Sequence, residues 1–345
     1  MRHSVHRILV WALALVVLSV GASIETLAAK QLIKLTTVAP RGSSYHRSLQ
    51  RLGESWRSTS GGSIELRIYA GGTQGGEAAM VERMLIQQAQ AGLLTATGLA
   101  LIEPAVAGLQ NMPMMFRSLD EVDYVGRKLQ PVLEKRMLDK GFVVLAWIDT
   151  GWVRFFSRTP VVRFDDLKQL KLFTWAGDTK TIDVMTHAGL EPIPLETADI
   201  LTGLQTRLID AVPLPPFYAL ALQVYRHAPH MLDLNWAPLV GALVVTRRAW
   251  ERIPEPLRPQ LREAAATAGA EIKAAGRNEG VQSILTMREK WGLTVHEVSP
   301  TIEAEWRAAA EAAYPKIRGE IVPAGIFDDV RSLLREYRAA GGTAP

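Results

Sequence analysis

The chain alternates short β-rich runs with helical stripes, and glycine-rich turns separate several of these segments. Residues 32–38 form a β-rich run, residues 45–56 carry apolar side chains at helical spacing, and residues 64–68 form a second β-rich run. A glycine-rich turn at 71–76 then precedes another helical segment and a β-rich run at 93–97. This alternation predicts an α/β fold in which helices cover a mainly parallel sheet.

The length of the chain favours two lobes over one small domain. A single apolar core stops growing near roughly 250 residues, and this chain has 345. Residues 257–291 form one helical pattern that exceeds ordinary globular helices and stops at Gly292. Further segments are predicted as a helix that begins after Ser118, strands at 142–148, 155–157 and 170–175, a rigid apolar loop at 212–218, and helices from about 301 and 325.

The first 28 residues read as a secretory signal. Arg2 and Arg7 precede an uncharged apolar run at 8–20, and residues 26–28 suit signal peptidase. The remainder contains no second apolar run near the ~20 residues that span a bilayer. We therefore predict a periplasmic protein cleaved near Ala28, the alternative being an uncleaved membrane anchor.

Composition and motifs exclude several kinds of chemistry. The sequence contains no cysteine, which rules out disulfides, thiolate catalysis and a lipid-anchored cysteine. Acidic and basic residues are interspersed around a formal net charge of +4, so nucleic acid is not an expected partner. Neither G-x-S-x-G nor H-E-x-x-H occurs, and His227 and His230 lack the third ligand that zinc requires. We expect no catalytic residues, no cofactor and no metal.

Two segments carry a resemblance to a known family. Residues 164–178 read F-D-D-L-K-Q-L-K-L-F-T-W-A-G-D, and residues 204–211 read L-Q-T-R-L-I-D-A. Both resemble the DctP-like periplasmic solute-binding proteins of TRAP transporters, whose pattern is roughly D-L-K-G-L-K-[IL]-R-V followed by L-Q-T-G-x-[VI]-D-G. Residues 109–116 are similar to the family's D-L-P-F-[LM]-F, with Asn111 in place of the aspartate.

The resemblance implies a two-lobed binding-protein fold with a ligand cleft between the lobes and a long C-terminal helix across both. Lobe I would comprise residues 29–149 and about 239–285, and lobe II residues 150–238 and about 286–342. The implied role is capture of a small organic solute for the small and large membrane subunits of a TRAP permease. The receptor would perform no chemistry itself, and we expect a monomer.

One departure from the family pattern bears directly on the ligand. Phe173 stands where most of the family has the arginine that grips a substrate carboxylate, and Trp175 lies two residues later on the same strand face. A buried carboxylate needs a charge-assisted partner worth about 1.5–3 kcal/mol per bond, which phenylalanine cannot supply. The two rings instead offer apolar surface, and burying such surface against a ligand contributes about 25 cal/mol per Å². The chain thus resembles a branch with an aromatic residue at this position, although both rings could equally be interlobe core.

The remaining candidate contacts each have a structural alternative. Gln74 and Glu77 belong to a turn that lines the cleft in the family. Alternatively, this segment could only form the tight turn between a strand and a helix, without contacting the ligand. Arg154 comes one residue later than the family's G-[FW]-R arginine and could form a surface or inter-strand ion pair. Asp210 could cap or hold a loop. The full set of predicted ligand contacts is Phe173, Trp175, Trp152, Arg154, Gln74, Glu77, Ser43, Ser44, Asp210, Pro215 and Tyr218.

Two ligand hypotheses remain open on the sequence. The first is an organic molecule with an apolar or aromatic portion that contacts Phe173, Trp175, Trp152 and Tyr218. The alternative is an ordinary organic acid whose carboxylate is held by Arg154. A secreted hydrolase is a hypothesis of another class, which the missing nucleophile and paired-acid motifs disfavour.

Overall fold

The computed structural model describes residues 30–342, so the predicted signal at 1–28 lies outside the described residues. Within residues 30–342, no helix is both long and apolar enough to cross a membrane. The strands are β1 (Gln31–Thr37), β2 (Ile64–Tyr69), β3 (Ala91–Thr95), β4 (Phe142–Ser157), β5 (Lys171–Trp175), β6 (Glu191–Leu195), β7 (Ala211–Leu214), β8 (His230–Thr246) and β9 (Thr294–His296). They form one sheet in the order β2-β1-β3-β8-β4-β7-β5-β6, with β9 paired to β8.

The sheet is mixed, which corrects the prediction of a mainly parallel one. Its two ends are parallel, since β1 pairs with β2 and β3, and β5 pairs with β6 and β7. The centre is antiparallel, because the long strands β4 and β8 pair with each other and with β7 and β3. The predicted lobe boundaries at 149/150 and 238/239 fall inside β4 and β8.

Irregular pairing explains why the sequence pattern did not reveal the two long strands. The β4–β8 register shifts at three places, between Val144 and Ala146, Asp149 and Trp152, and Val153 and Phe155. Each shift interrupts the two-residue alternation that identifies a strand. The second and third shifts lie between the two pieces of β4 that were predicted, 142–148 and 155–157, and β8 was not predicted.

The helices are α1 (Ser44–Thr59), α2 (Glu77–Leu85), α3 (Ala96–Ile102), α4 (Leu119–Asp139), α5 (Phe164–Leu167), α6 (Thr179–His187), α7 (Ile200–Gln205), α8 (Pro216–Ala221), α9 (Arg247–Glu251), α10 (Arg258–Trp291), α11 (Pro300–Glu320) and α12 (Ala324–Ala339). Short 3₁₀ helices occur at Pro104–Leu109, Thr197–Asp199, Val224–Arg226 and Glu255–Leu257. In α11 the backbone leaves helical geometry at Arg318 and Gly319. The predicted long helix is confirmed as α10, and Ser118 caps α4 as expected by accepting from the Glu121 N–H.

The predicted rigid loop at 212–218 is wrong. Residues 211–214 form β7, and α8 begins at Pro216. Proline is acceptable at the first position of a helix because its missing N–H has no intrahelical partner there. Pro213 sits in the strand opposite Phe155. The proline run thus connects a short strand to a helix.

Helix α10 lies directly on β4 and joins the two lobes. A side chain at Gly276 would place its Cβ 2.7 Å from the Cα of Thr150 and 2.7 Å from the Tyr45 hydroxyl. Only glycine permits this approach of helix to strand. The neighbouring Arg277 donates to Asp149 on β4 and to Asp123 on α4, which fixes the helix to both elements.

Candidate functional site

Two adjoining cavities lie where the lobes meet. The first, called here the apolar cavity, has a volume of about 160 Å³, and the second, the polar cavity, about 140 Å³. Both are lined by Thr97, Asn111, Trp175, Asp178 and Ile321. Thr97 and Asn111 come from the N-terminal part of the chain, Trp175 and Asp178 from β5 and the start of α6, and Ile321 directly follows α11. Because the two cavities share these five residues, we treat them as one site.

The apolar cavity lies between β5, α6 and α11. Small side chains on α11 leave the space open, and apolar side chains from α6 and β8 close it; these residues are Ala309, Ala310, Ala313, Val184, Met185 and Trp236. Among the described residues that line this cavity none is basic, and Asp178 is the one carboxylate. The Asp178 side chain already accepts from the Thr181 N–H at 3.1 Å as the cap of α6. The cavity therefore favours an apolar guest.

Phe173 and Trp175 both contribute to the wall of the apolar cavity. Their ring centroids are 5.2 Å apart with planes at 73°, an edge-to-face contact that places both on one face of β5 as predicted. The Phe173 side chain is fully buried and also packs in the main core with Leu214 and Tyr218. Trp175 is half-buried and lines both cavities, so it is the aromatic surface more accessible to a ligand.

The polar cavity is lined by the acids Glu77, Asp178 and Glu196 and by the exposed Lys180, its one basic residue among the described positions. Burial and the neighbouring Asp199 raise the pKa of Glu196. A Cβ on Gly76 would lie 1.7 Å from Glu196 Oε2, so glycine at 76 is what lets this carboxylate reach the start of α2. The glycine-rich turn thus serves contact between the lobes.

Glu77 organises the neighbouring backbone from a buried position. The N–H groups of Thr95 and Gly98 donate to its carboxylate at 2.6 and 2.8 Å, and the Thr95 hydroxyl donates at 2.6 Å. Burial raises the pKa of Glu77 above its ordinary value of 4.5, against the opposing effect of these three bonds. The carboxylate thus stabilises the start of α3, and its oxygens bind groups of the protein itself.

We expect Glu77→Gln to lower the free energy of unfolding by about 2 kcal/mol at pH 7, because a glutamine amide nitrogen would face a backbone donor. The raised pKa of Glu77 means that the folded protein gains stability by holding a proton as the pH falls. The stability advantage of wild type over Glu77→Gln should therefore grow from pH 7 towards the ordinary value of 4.5. Urea unfolding across this range measures it, with the exposed Glu82→Gln as control. An advantage that shrinks on acidification would contradict the assigned direction.

Asn111 and Thr181 present unpaired polar atoms at the apolar cavity. Asn111 Oδ1 and Thr181 Oγ1 are buried, and neither finds a hydrogen-bond partner among the described residues. Buried polar groups are nearly always paired, so these atoms mark places where a ligand group or water can bind. Sequence reasoning missed both as ligand contacts. The substitution of asparagine for the family's aspartate at 111 was the available signal, whereas nothing in the sequence distinguished Thr181.

Several predicted contacts lie away from the two cavities and are engaged within the protein. Arg154 forms an ion pair with Asp233 in a separate surface pocket. The Asp210 carboxylate accepts from the Lys171 N–H at 3.3 Å and lies 3.6 Å from the Arg158 guanidinium. Trp152 packs against the apolar cluster that contains Val240.

The predicted contacts from the N-terminal loops also line neither cavity. Ser43 caps α1 by accepting from the His46 N–H at 3.2 Å, and Ser44 donates to Glu279 on α10 at 2.8 Å. The Gln74 backbone carbonyl accepts from Arg83 at 3.1 Å. Pro215 precedes α8 in extended geometry.

Tyr218 belongs to an aromatic group deeper between the lobes. Its ring centroid lies 6.0 Å from that of Tyr45 and 5.7 Å from that of Phe217, and the Tyr45 and Phe217 centroids are 4.7 Å apart. Tyr45 and Tyr218 line a third cavity of about 30 Å³, and burial raises the pKa of both phenols. Phe217 was not among the predicted contacts, although its neighbour Tyr218 was.

Comparison with known proteins decides the family. The model of the bacterial extracellular solute-binding protein family 7, DctP, matches residues 35–320. The chain belongs to this family. Its members are solute-binding receptors and not enzymes, and DctP proteins are periplasmic.

Individual relatives of this DctP family member have low sequence identity to it but align over most of its length. It is 22% identical over 310 residues to the C4-dicarboxylate-binding periplasmic protein DctP of Rhodobacter capsulatus, which covers 88% of this chain and 90% of the relative. The galactonate complex of the sugar acid binding protein DctPAm from Advenella mimigardefordensis matches with a TM-score of 0.82 at 16% identity, over 89% of this chain and 99% of that one. A TRAP periplasmic solute binding protein from Shewanella oneidensis with bound succinate matches with a TM-score of 0.81 at 18% identity, over 89% and 100%. These likenesses confirm the two-lobed α/β fold.

Proposed function

We propose that this receptor captures an organic solute with an apolar or aromatic portion and delivers it to the two membrane subunits of a TRAP-type permease. The observation that carries the proposal is the wall of the apolar cavity, which contains aromatic rings and no basic residue among its described members. An organic anion buried there would lack a cationic partner, and the cost of desolvating it would be several kcal/mol. A ring or alkyl group would instead bury its surface against Trp175.

The polar end of the solute would bind at Asn111 and Thr181. We place it there because both side chains carry unpaired buried atoms at the cavity, whereas Gln74, Ser43 and Ser44 line neither cavity. The amide oxygen of Asn111 accepts hydrogen bonds and the Thr181 hydroxyl can donate or accept. A hydroxyl or amine on the solute suits this pair.

The alternative is an ordinary organic acid held by Arg154. The named ligands of the related proteins, C4-dicarboxylates, galactonate and succinate, are of this class. Arg154 forms an ion pair with Asp233 in a pocket that has no lining residue in common with the apolar cavity. Its neighbour on β4, Val153, lines the apolar cavity instead. Binding an acid at Arg154 would require breaking that ion pair, so we favour the first hypothesis.

The first step is to identify the solute: the protein is purified from the periplasm in which it is made, and native mass spectrometry is used to detect a small molecule that co-purifies with it. Titration calorimetry with that solute then tests the site through two variants. We expect Trp175→Ala to weaken binding by roughly 50-fold, since a ring face of about 100 Å² contributes about 2.5 kcal/mol. Arg154→Ala should leave the affinity within about twofold.

The opposite pattern, loss of binding in Arg154→Ala with Trp175→Ala unaffected, would replace this proposal with the organic-acid alternative. Succinate and galactonate serve as reference acids in the same titrations. A tightly bound small dianion in the wild-type protein would also contradict the proposed site.

A further inference from the structure

A groove lined by six arginines lies between α11 and α12, outside the solute site. It encloses about 700 Å³, and its arginines are Arg117, Arg307, Arg318, Arg331, Arg335 and Arg338. Glu311 is the single acid among the described residues that line it. The groove shares no lining residue with the apolar or the polar cavity. It is therefore a separate feature of the surface.

The helical spacing directs these charges into the groove. Arg331, Arg335 and Arg338 follow one another at intervals of four and three residues and so share one face of α12. On α11, Arg307, Glu311 and Arg318 face the groove, while the apolar cavity is lined from Ala309, Ala310 and Ala313 on the other side of the same helix. Helix α11 thus separates an apolar site from a cationic one.

Three of the six guanidinium groups are already paired. Arg318 donates to Asp328 at 2.9 and 2.6 Å, Arg338 donates to Glu121 at 2.7 and 2.9 Å, and Arg307 donates to Glu303 at 2.7 Å. Arg307 and Arg338 also donate to the backbone carbonyls of Met114 and Met115 at 2.8 Å. These bonds hold the walls of the groove in place.

The other three, Arg117, Arg331 and Arg335, form no ion pair with any residue in the 30–342 range. All three are exposed, and Arg331 stacks its guanidinium over the Phe327 ring at 6.0 Å. Like charges four residues apart on a helix repel each other, so an anion bound between Arg331 and Arg335 would relieve this repulsion. Met115 and Leu334 form an apolar floor beneath the charges.

We infer that this groove binds a phosphate-bearing anion, with Arg117, Arg331 and Arg335 as its primary contacts. Planar guanidinium groups match the oxygen geometry of phosphate, and several of them around one concave surface provide multidentate contact. The same chemistry is presented by free phosphates and by the headgroups of anionic phospholipids. The inference does not depend on the identity of the transported solute.

Titration calorimetry of the full chain with inorganic pyrophosphate tests the groove directly. We expect a Kd below about 1 mM at roughly 50 mM salt, weakening as the salt concentration rises. The double variant Arg331→Gln/Arg335→Gln should weaken binding at least about tenfold, because two charge-assisted contacts are removed. Arg117→Gln, on a different segment, should weaken it by a smaller factor.

The matched control is Arg248→Gln/Arg252→Gln, which removes the same charge from exposed positions outside the groove. It should leave the affinity within about twofold. Equal losses in the control and groove variants, or no pyrophosphate binding in the wild type together with no vesicle binding, would overturn the inference. A circular dichroism melt confirms that each variant is folded.

Sedimentation with vesicles distinguishes the two sources of phosphate. Binding to vesicles that contain phosphatidylglycerol, absent from pure phosphatidylcholine vesicles and lost in the double variant, identifies a lipid headgroup. Pyrophosphate binding without vesicle binding identifies a free anion. Vesicle binding that persists in the double variant would contradict the assignment to the groove.

Discussion

Phe173→Arg is expected to lower the free energy of unfolding by about 3–5 kcal/mol in the absence of any added acid. The substitution introduces the arginine that the sequence resemblance predicts for most of the family, at a position where this protein buries a phenylalanine completely. Asp178 is the one carboxylate among the described residues of the adjacent cavity wall, and it already caps α6. The new guanidinium would therefore lose its water without gaining an ordered partner. Urea denaturation followed by circular dichroism measures the loss.

The conservative variant Phe173→Leu separates charge from lost packing. It removes ring contacts but adds no polar group, so we expect a smaller loss of about 1–1.5 kcal/mol. If 173 is the position of the carboxylate clamp, succinate or galactonate should raise the melting temperature of Phe173→Arg and leave Phe173→Leu unchanged. Equal stability of the two variants would show that position 173 does not face the apolar interior.

Arg277→Ala is expected to destabilise the protein by about 3 kcal/mol. Arg277 donates to both oxygens of Asp149 at 2.8 and 2.7 Å and to both oxygens of Asp123 at 3.0 and 2.7 Å. The Asp149 side chain is only 5% exposed, so removing the guanidinium leaves a buried carboxylate with Lys273 at 3.3 Å as its remaining cation. Because α10 is joined here to β4 and α4, the loss should appear in global unfolding measured by urea titration.

Arg277→Lys is the matched control, since it keeps the charge but cannot serve two carboxylates with a planar fork. We expect Arg277→Lys to lower the free energy of unfolding by about half as much as Arg277→Ala does. Although burial opposes it, hydrogen bonds from Arg277 and Lys273 lower the pKa of Asp123 below its ordinary value of 3.8. The lowered pKa stabilises the fold above that ordinary value, and this contribution disappears as the pH falls through the folded pKa. The difference between wild type and Arg277→Ala should therefore shrink at strongly acidic pH, and a constant difference would argue against the ionic role.

The regular elements of the fold could be predicted because they depend on short-range patterns. Helix α10 ends at Trp291 before Gly292 as expected, and Ser118 caps α4 through a bond three residues away. Strand β8 was not predicted, because its hydrogen-bonding partners β3 and β4 are far away in the chain. Its pairing with β4 is also irregular in register. Pairing partners at such separations leave no local signal.

The candidate site divides in the same way. The family resemblance indicated Phe173, the two-residue alternation of a strand placed Trp175 on the same face, and both contribute to the cavity wall. The sequence could not show that Arg154 meets Asp233, 79 residues later, because that contact depends on how β4 and β8 align. Asn111 and Thr181 are likewise brought to one cavity only by tertiary packing.

The amino-acid sequence by itself determined the family, the α/β class, the long helix and the aromatic residue at position 173, since each of these is written in neighbouring residues or in a motif. The tertiary structure alone decided which polar side chains remain unpaired at the apolar cavity and which arginines converge between α11 and α12. The reason is physical: propensity and alternation act over a few residues, whereas burial and charge pairing depend on segments that meet only after the chain has folded.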